Sequence, residues 1–281
     1  MLLKGKKTAA AVVSDLVDDF SGEPCLAVFH PSGDESAEWY LKMKKRWLKK
    51  IGGKMEVFEL SSETSPEKFL SDIKKINSDD SFDAMMVEMP LPFKMDPALL
   101  WSSIKPEKDV DGLTFVNQGS IFSTRKENLV PCTAAAAAHI LEAHNISISG
   151  KNALVIGRSN VVGLPLAKLL LNRNATVTVA HSRTKNLRDI VGNYDIVAVA
   201  AGVPGIISSS DVKDGAAVVD IGINTDSSGS LTGDMDISGE DEKSRIDYTP
   251  VPGGVGAVTN AFMLKNLVKC MKLKQEKNCY E

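Results

Sequence analysis

Apolar positions along the chain switch between two rhythms. Residues 25–30, 55–60 and 83–89 are short, largely apolar runs of strand length, each bounded by turn residues or charges. Between them apolar residues recur every three or four positions, as Phe69, Leu70, Ile73 and Ile76 do, which predicts helices over 36–50 and 66–76. An amphipathic helix over 2–20 precedes this series, a turn occupies 31–34, and a short helix over 97–104 follows it. Strand alternating with helix predicts a first parallel α/β unit. Residues 105–130 read as loop. An alanine-rich helix then runs to about His144, with Thr133 as its N-cap. A second α/β unit starts at Lys151, with strands at 153–156, 176–180, 195–200 and 216–221. Residues 226–239 are polar and glycine-rich, so an exposed loop is expected there. Residues 249–259 read as a rigid glycine-bearing loop, and 261–274 as a final helix before a charged tail. The two halves have similar layouts without a residue-level repeat.

The step from 153–156 into the next helix carries the first candidate chemistry. The run is apolar throughout, as in a strand buried on both faces. Gly157, Arg158, Ser159, Asn160, Val161, Val162 and Gly163 then turn into a helix with Pro165 in its first turn. Strand, tight turn and helix N-terminus form an anion site, because backbone N–H groups and the helix dipole face the turn. The match to G-x-G-x-x-G is partial, since Ser159 stands where the middle glycine would be, and an ordinary strand-to-helix turn would look similar. The next strand ends in His181, Ser182, Arg183 and Thr184, with no acid to accept a ribose 2′-hydroxyl. Two arginines, Arg158 and Arg183, and a hydroxyl suit a 2′-phosphate, so NADP is expected over NAD. Solvated surface arginines are the competing reading.

Composition narrows the classes. The chain has 281 residues, 43% hydrophobic and 25% charged, enough for a packed core of one large or two smaller domains. A formal net charge of −3 argues against a general nucleic-acid binder. Cys25, Cys132, Cys270 and Cys279 have no CxxC spacing and no accompanying histidine pattern, so no metal site and no disulfide set is expected. No apolar run approaches a membrane span and no signal-like segment is visible, which points to a cytoplasmic protein.

Four further places could do chemistry. Tyr40, Lys44 and Trp47 share one face of the helix over 36–50. A lysine can move protons when burial and neighbours tune it, but from the local sequence alone a solvated helix face is the stronger reading, given Lys42, Lys45, Lys49 and Lys50. Glu88 ends an apolar strand, where parallel sheets place ligands or where a carboxylate meets water. Asp109 and Asp111 flank Val110 in a loop that could cap a helix or bind a ring's N–H groups. Pro252, Gly253, Gly254, Val255 and Gly256 leave backbone N–H groups uncovered and admit a flat ligand close to the chain.

Taken together, the motifs resemble the bifunctional methylenetetrahydrofolate dehydrogenase/methenyltetrahydrofolate cyclohydrolase family. They run nearly end to end: LLKGKK near the start, Tyr40-x-x-x-Lys44, VEMPLP at 87–92, KPEKDVDG at 105–112, PCT at 131–133, GRSNVVGLP at 157–165, HSRT at 181–184, DIGIN at 220–224, GDMD at 233–236 and TPVPGGVGAVT at 249–259. The resemblance implies an α/β protein of two domains with a cleft between them. An N-terminal catalytic domain, 1–145 completed by 258–281, would hold the folate. A Rossmann-like domain, 146–257, would hold NADP. By the same resemblance Lys44 is the main catalytic residue, with Tyr40, Glu88 and Asp111 in the catalytic set, Tyr40 packing on the folate and Asp111 anchoring its ring. Pro252, Gly253, Gly254 and Val255 would line the folate side. Gly157, Arg158, Ser159, Val162, Gly163, Ser182, Arg183 and Ile223 would contact the dinucleotide. The implied partners are tetrahydrofolate one-carbon derivatives and a second copy of the chain, as a homodimer built through the nucleotide domain.

The chain departs from the family at Glu88, where the family usually has Gln. A carboxylate there would form an ion pair that favours protonated Lys44 and weakens it as a base. A dehydrogenase with little cyclohydrolase activity is therefore one alternative. A non-catalytic folate sensor and an unrelated shikimate dehydrogenase-like enzyme are others. Milder departures are Ala134 and Ala136 after PCT, Ala257 after GGVG, and a turn before Tyr40 shorter by one residue.

Overall fold

A computed structural model describes residues 1–19, 22–33, 35–123, 129–226, 228–237 and 245–278. The chain forms two compact units, one of residues 12–130 with 263–281 and one of 1–11 with 131–262.

The first unit is built on three strands, β1 (Cys25–Pro31), β2 (Lys54–Leu60) and β3 (Ala84–Val87), in the order β2-β1-β3, all parallel. Helices α1 (Gly5–Asp19), α2 (Glu35–Leu48), α3 (Pro66–Ser78), α4 (Pro97–Ser103) and α5 (Phe115–Ser120) precede, join or follow them. The start of α3 follows from its sequence. Ser65 accepts a hydrogen bond from the Lys68 N–H at 3.2 Å, and Pro66 occupies the first turn. Its Phe69, Ile73 and Ile76 then fall on one stripe and are buried against Phe29, Met85 and Leu100. Because β1 lies between β2 and β3, the chain reverses its direction of winding between β1 and β3. That is where a crevice opens at the carboxyl ends of an α/β sheet.

The second unit carries five parallel strands in the order β12-β8-β6-β4-β5. They are β4 (Asn152–Ile156), β5 (Thr176–Ala180), β6 (Ile196–Val199), β8 (Ala217–Asp220) and β12 (Asp247–Tyr248). Its helices include α6 (Cys132–Ala143), α7 (Gly163–Leu171) and α8 (Leu187–Val191). Winding reverses between β4 and β6, so the turn after β4 sits at the switch point.

Several elements differ from the pattern read in sequence. The alanine-rich helix α6 begins at Cys132, with Pro131 before it and no side-chain cap, so Thr133 is inside the first turn. The Ala135 N–H donates to the Pro131 carbonyl at 2.9 Å, which closes that turn one residue earlier. The helix packs on α7 and β8, because its run of small side chains permits close approach. It falls in the unit of residues 131–262, so the boundary lies earlier than the 145/146 that the resemblance implies. The loop expected at 226–239 contains strand pairs among its described residues: β9 (Asn224–Thr225) with β10 (Leu231–Thr232), and β11 (Met235–Asp236) with β7 (Ile207–Ser208). The last helix, α9 (Val255–Asn278), begins six residues earlier than expected and takes up half of the predicted glycine loop. No helix among the described residues is long and apolar enough to cross a membrane.

Candidate active site

Lys44 is directed inward by the spacing of its helix. Leu41 and Leu48, three residues before and four after it, are buried, while Lys42, Lys45, Lys49 and Lys50 are exposed. The solvated face belongs to its neighbours. The Lys44 side chain is 18% exposed and its ammonium donates to Glu88 Oε1. Glu88 follows the last residue of β3, and its N–H donates to the Phe29 carbonyl at 3.0 Å, which extends the β1–β3 ladder by one rung. That register brings the residue after Phe29 alongside it. This residue is His30, 1% exposed, and its Nδ1 bonds the other Glu88 oxygen, Oε2. One carboxylate thus bridges a lysine and a histidine. Tyr40 lies one helical turn before Lys44; its side chain is outside the described residues.

The loop of Asp109 and Asp111 is tied to the same strand. The Val110 N–H donates to the Met85 carbonyl at 3.3 Å. Asp109 is buried and its Oδ2 accepts from the Thr114 N–H at 2.7 Å and Asn117 Nδ2 at 2.8 Å. Asn266 Nδ2 of α9 donates to the carbonyls of Val110 and Val130, both at 2.9 Å. Asp109 therefore shapes the loop. For Asp111, burial pushes its carboxyl up to about 7, Asp109 and Glu88 add to the rise, and Lys44 opposes it. A groove of about 530 Å³ lined by Met89, Leu91, Phe93 and Met95 begins one residue beyond Glu88.

In the other unit the Gly157 turn closes against the residue just past β6, Ala200. Gly157 has φ +123°, and a Cβ there would lie 2.2 Å from the Ala200 carbonyl oxygen, so only glycine fits. Ser159 Oγ accepts from the N–H groups of Val162 at 3.1 Å and Gly163 at 3.3 Å, so two of the N–H groups expected to face an anion are capped within the turn. Gly163 is buried as the first residue of α7. Arg158, Ser159, Ser182 and Arg183 are exposed beyond the ends of the adjacent strands β4 and β5. Among the described residues the two guanidinium groups form no ion pair. Ile223 lies past the end of β8 and is 55% exposed. An exposed hydroxyl and two unpaired guanidiniums beside a glycine turn fit a phosphate-bearing dinucleotide.

Gly253 has φ +105° and its carbonyl accepts from the Gly5 N–H at 2.9 Å. Pro252 and Gly253 are exposed, Gly254 is buried, and Val255 opens α9.

Three residues receive no role from the sequence, although Asp220 and Asp234 lie in the DIGIN and GDMD motifs. His30 looks like the end of an apolar strand. Asp220 accepts from the N–H groups of Gly222, Asp234 and Met235 at 3.1, 3.0 and 2.9 Å. Burial raises its carboxyl to about 6 despite those bonds. Asp234 in turn accepts from Ala201 and Gly202 at 2.7 and 2.8 Å. The two aspartates fix the loops beyond β6 and β8.

Fold and sites together define an α/β enzyme with a dinucleotide-binding unit and a separate unit bearing a lysine–carboxylate cluster. Residues 3–111 match the model of the tetrahydrofolate dehydrogenase/cyclohydrolase catalytic domain, and 131–275 match that family's NAD(P)-binding domain. The chain belongs to the tetrahydrofolate dehydrogenase/cyclohydrolase family, as its motifs indicated. It is 41% identical over 273 residues to a bifunctional protein FolD of Campylobacter concisus, covering 97% of this chain and 95% of that protein. A bifunctional protein FolD of Agathobacter rectalis is 39% identical, with 96% and 99% covered. The crystal structure of the bifunctional FolD enzyme of Campylobacter jejuni superposes with a TM-score of 0.89 at 36% identity, covering 98% and 99% of the two chains. The Trypanosoma brucei enzyme, solved with NADP cofactor and an inhibitor, gives 0.89 at 33% identity, with 98% of each chain covered.

Proposed function

We propose that this enzyme oxidises 5,10-methylenetetrahydrofolate to 5,10-methenyltetrahydrofolate with NADP and hydrolyses the product to 10-formyltetrahydrofolate. The observation that carries this reading is the inward Lys44 paired with Glu88, in a chain that matches bifunctional relatives over nearly its whole length. NADP, when bound, supplies the hydride acceptor. Arg158, Ser182 and Arg183 hold its phosphate, with Ser159 shaping the turn beneath. In the second reaction water adds to the methenyl carbon, the ring opens, and one proton is released overall. Lys44, bonded to Glu88, is the group that handles that proton. Asp111 binds the folate ring, and Tyr40, Pro252, Gly253, Gly254 and Val255 complete the folate contacts.

The alternative of a dehydrogenase alone is the weaker reading. Glu88 shares its charge between Lys44 and His30, so the lysine is not its sole partner. A homodimer through the dinucleotide unit is supported by the exposed apolar side chains of Val161, Leu164 and Leu171 on that unit. A cytoplasmic location is supported by three free cysteines, Cys25, Cys132 and Cys270.

The test supplies purified protein with 5,10-methylenetetrahydrofolate and NADP or NAD in parallel, then with methenyltetrahydrofolate alone. Reduction of NADP together with accelerated loss of methenyl absorbance is expected. Reduction with methenyltetrahydrofolate accumulating at its uncatalysed rate of loss would leave a dehydrogenase only. No reduction of either dinucleotide would sink the reading.

A further inference from the structure

The Lys44 cluster contains a buried titratable group that the proposed reaction does not use. His30 is the penultimate residue of β1 with almost no exposed surface, and its backbone is held in a strand buried along its length. Glu88, by contrast, has a flexible side chain beyond the end of β3, and without His30 its only side-chain partner among the described residues would be the equally flexible Lys44. An ionised carboxylate only accepts, so the Nδ1 atom facing Glu88 Oε2 carries the hydrogen and donates. That bond fixes the plane of the carboxylate and leaves Oε1 for Lys44. His30 Nε2 is buried without a hydrogen-bond partner, and the nearest acid is Glu38 of α2, whose Oε1 is 3.7 Å away. Glu88 from β3, Glu38 and Lys44 from α2, and Asp111 from the loop tied to β3 are the charged groups around the ring and its carboxylate partner.

We propose that His30 is a positioning residue for the proton-handling lysine: its Nδ1–H locks Glu88, and Glu88 in turn sets where the Lys44 ammonium stands. The arrangement follows the general pattern in which a reactive group is held by a second and oriented by a third. The proposal rests on the cyclohydrolase reading for its kinetic test and on geometry alone for its spectroscopic one.

Two variants separate positioning from packing. His30→Leu keeps the apolar bulk and removes the donor. His30→Asn places an amide N–H close to where Nδ1 stood and cannot titrate. In His30→Leu the kcat for methenyltetrahydrofolate hydrolysis is expected to fall about tenfold or more, as for a misplaced catalytic group. Its KM is expected to move far less, and NADP affinity to stay at the wild-type value. His30→Asn is expected to recover most of the lost kcat. In ligand-free wild-type protein, nitrogen NMR of the His30 ring is expected to report a hydrogen-bonded Nδ1–H, lost in Glu88→Leu. Wild-type kcat and pH profile in His30→Leu would overturn the proposal. So would equal loss of kcat and of Tm in both His30 variants, which marks a packing role. Wild-type protein that is inactive yet shows the Nδ1–H signature would overturn the functional reading and leave the bond intact.

Discussion

The two units place their candidate sites at the same topological position and equip them in opposite ways. In each, the site lies at the carboxyl ends of the strands where winding reverses, β1 and β3 in one unit, β4 and β6 in the other. Around β1 and β3 the polar groups are buried or partly buried and already bonded: His30 to Glu88, Glu88 to Lys44, Asp109 to its own loop. Around β4 and β6 the buried polar groups only shape loops, while Arg158, Ser182 and Arg183 are exposed. The difference fits the two tasks proposed for them. Proton transfer is served by groups held in one geometry in a low-dielectric setting, and phosphate binding by cations open to the ligand.

The largest expected effect breaks this comparison at its reactive end. Lys44→Met should lower cyclohydrolase kcat by at least about 100-fold, in the range that a positioned acid or base contributes. NADP affinity, read by fluorescence titration, should not change. A matching loss of NADP affinity would show that the two sites are not separate in function. At the other end, Gly157→Ala forces a side chain into positive φ, a strain of about 1–3 kcal/mol, and onto the Ala200 carbonyl. The Tm should drop and NADP binding should be lost, read by calorimetry with and without NADP. An unshifted Tm would mean that the turn can relax.

A subtler change sharpens the binding side. Arg183→Leu should raise the KM for NADP about tenfold, the order expected when a hydrogen bond to a charged group is removed, and leave the KM for NAD unchanged. Equal effects on both would place Arg183 away from the 2′-phosphate. The smallest effect concerns protons. Asp111 has its carboxyl raised to about 7 in the folded state, so between the unfolded carboxylate range and that value the folded protein holds the extra proton. Stability from this group is therefore present at low pH and lost as pH rises toward 7. Asp220, raised to about 6, contributes in the same direction in the other unit. In Tm measured against pH, Asp111→Asn should flatten the fall between about pH 5 and 7 and leave the Asp220 part. A slope identical to wild type would contradict a raised Asp111.

Much of this was legible in the residues. Period and apolar content marked β1, β2 and β4, the α3 stripe, and the turn at Gly157. Lys44 was ambiguous within its lysine run, and the motifs around it, not its neighbours, singled it out. Its local sequence does hold the signal, since Leu41 and Leu48 flank it at helical spacing, but which face is buried depends on what the helix packs against. Two-residue strands such as β7 and β11 are too short to show a period, and their pairing is fixed by partners far away in the chain. The start of α9 is hidden in the sequence because two glycines just before it and one inside its first turn read as loop, yet Val255 and Val258 are buried.

The sequence by itself determined two α/β units, the glycine turn with its arginines, and the family, because period, turn chemistry and ordered motifs are local properties of the chain. Only the tertiary structure decided that His30 belongs to the site. The parallel register of β1 on β3 sets His30 beside Glu88, 58 residues on. Register comes from burying whole faces of strands together, and no residue carries it alone.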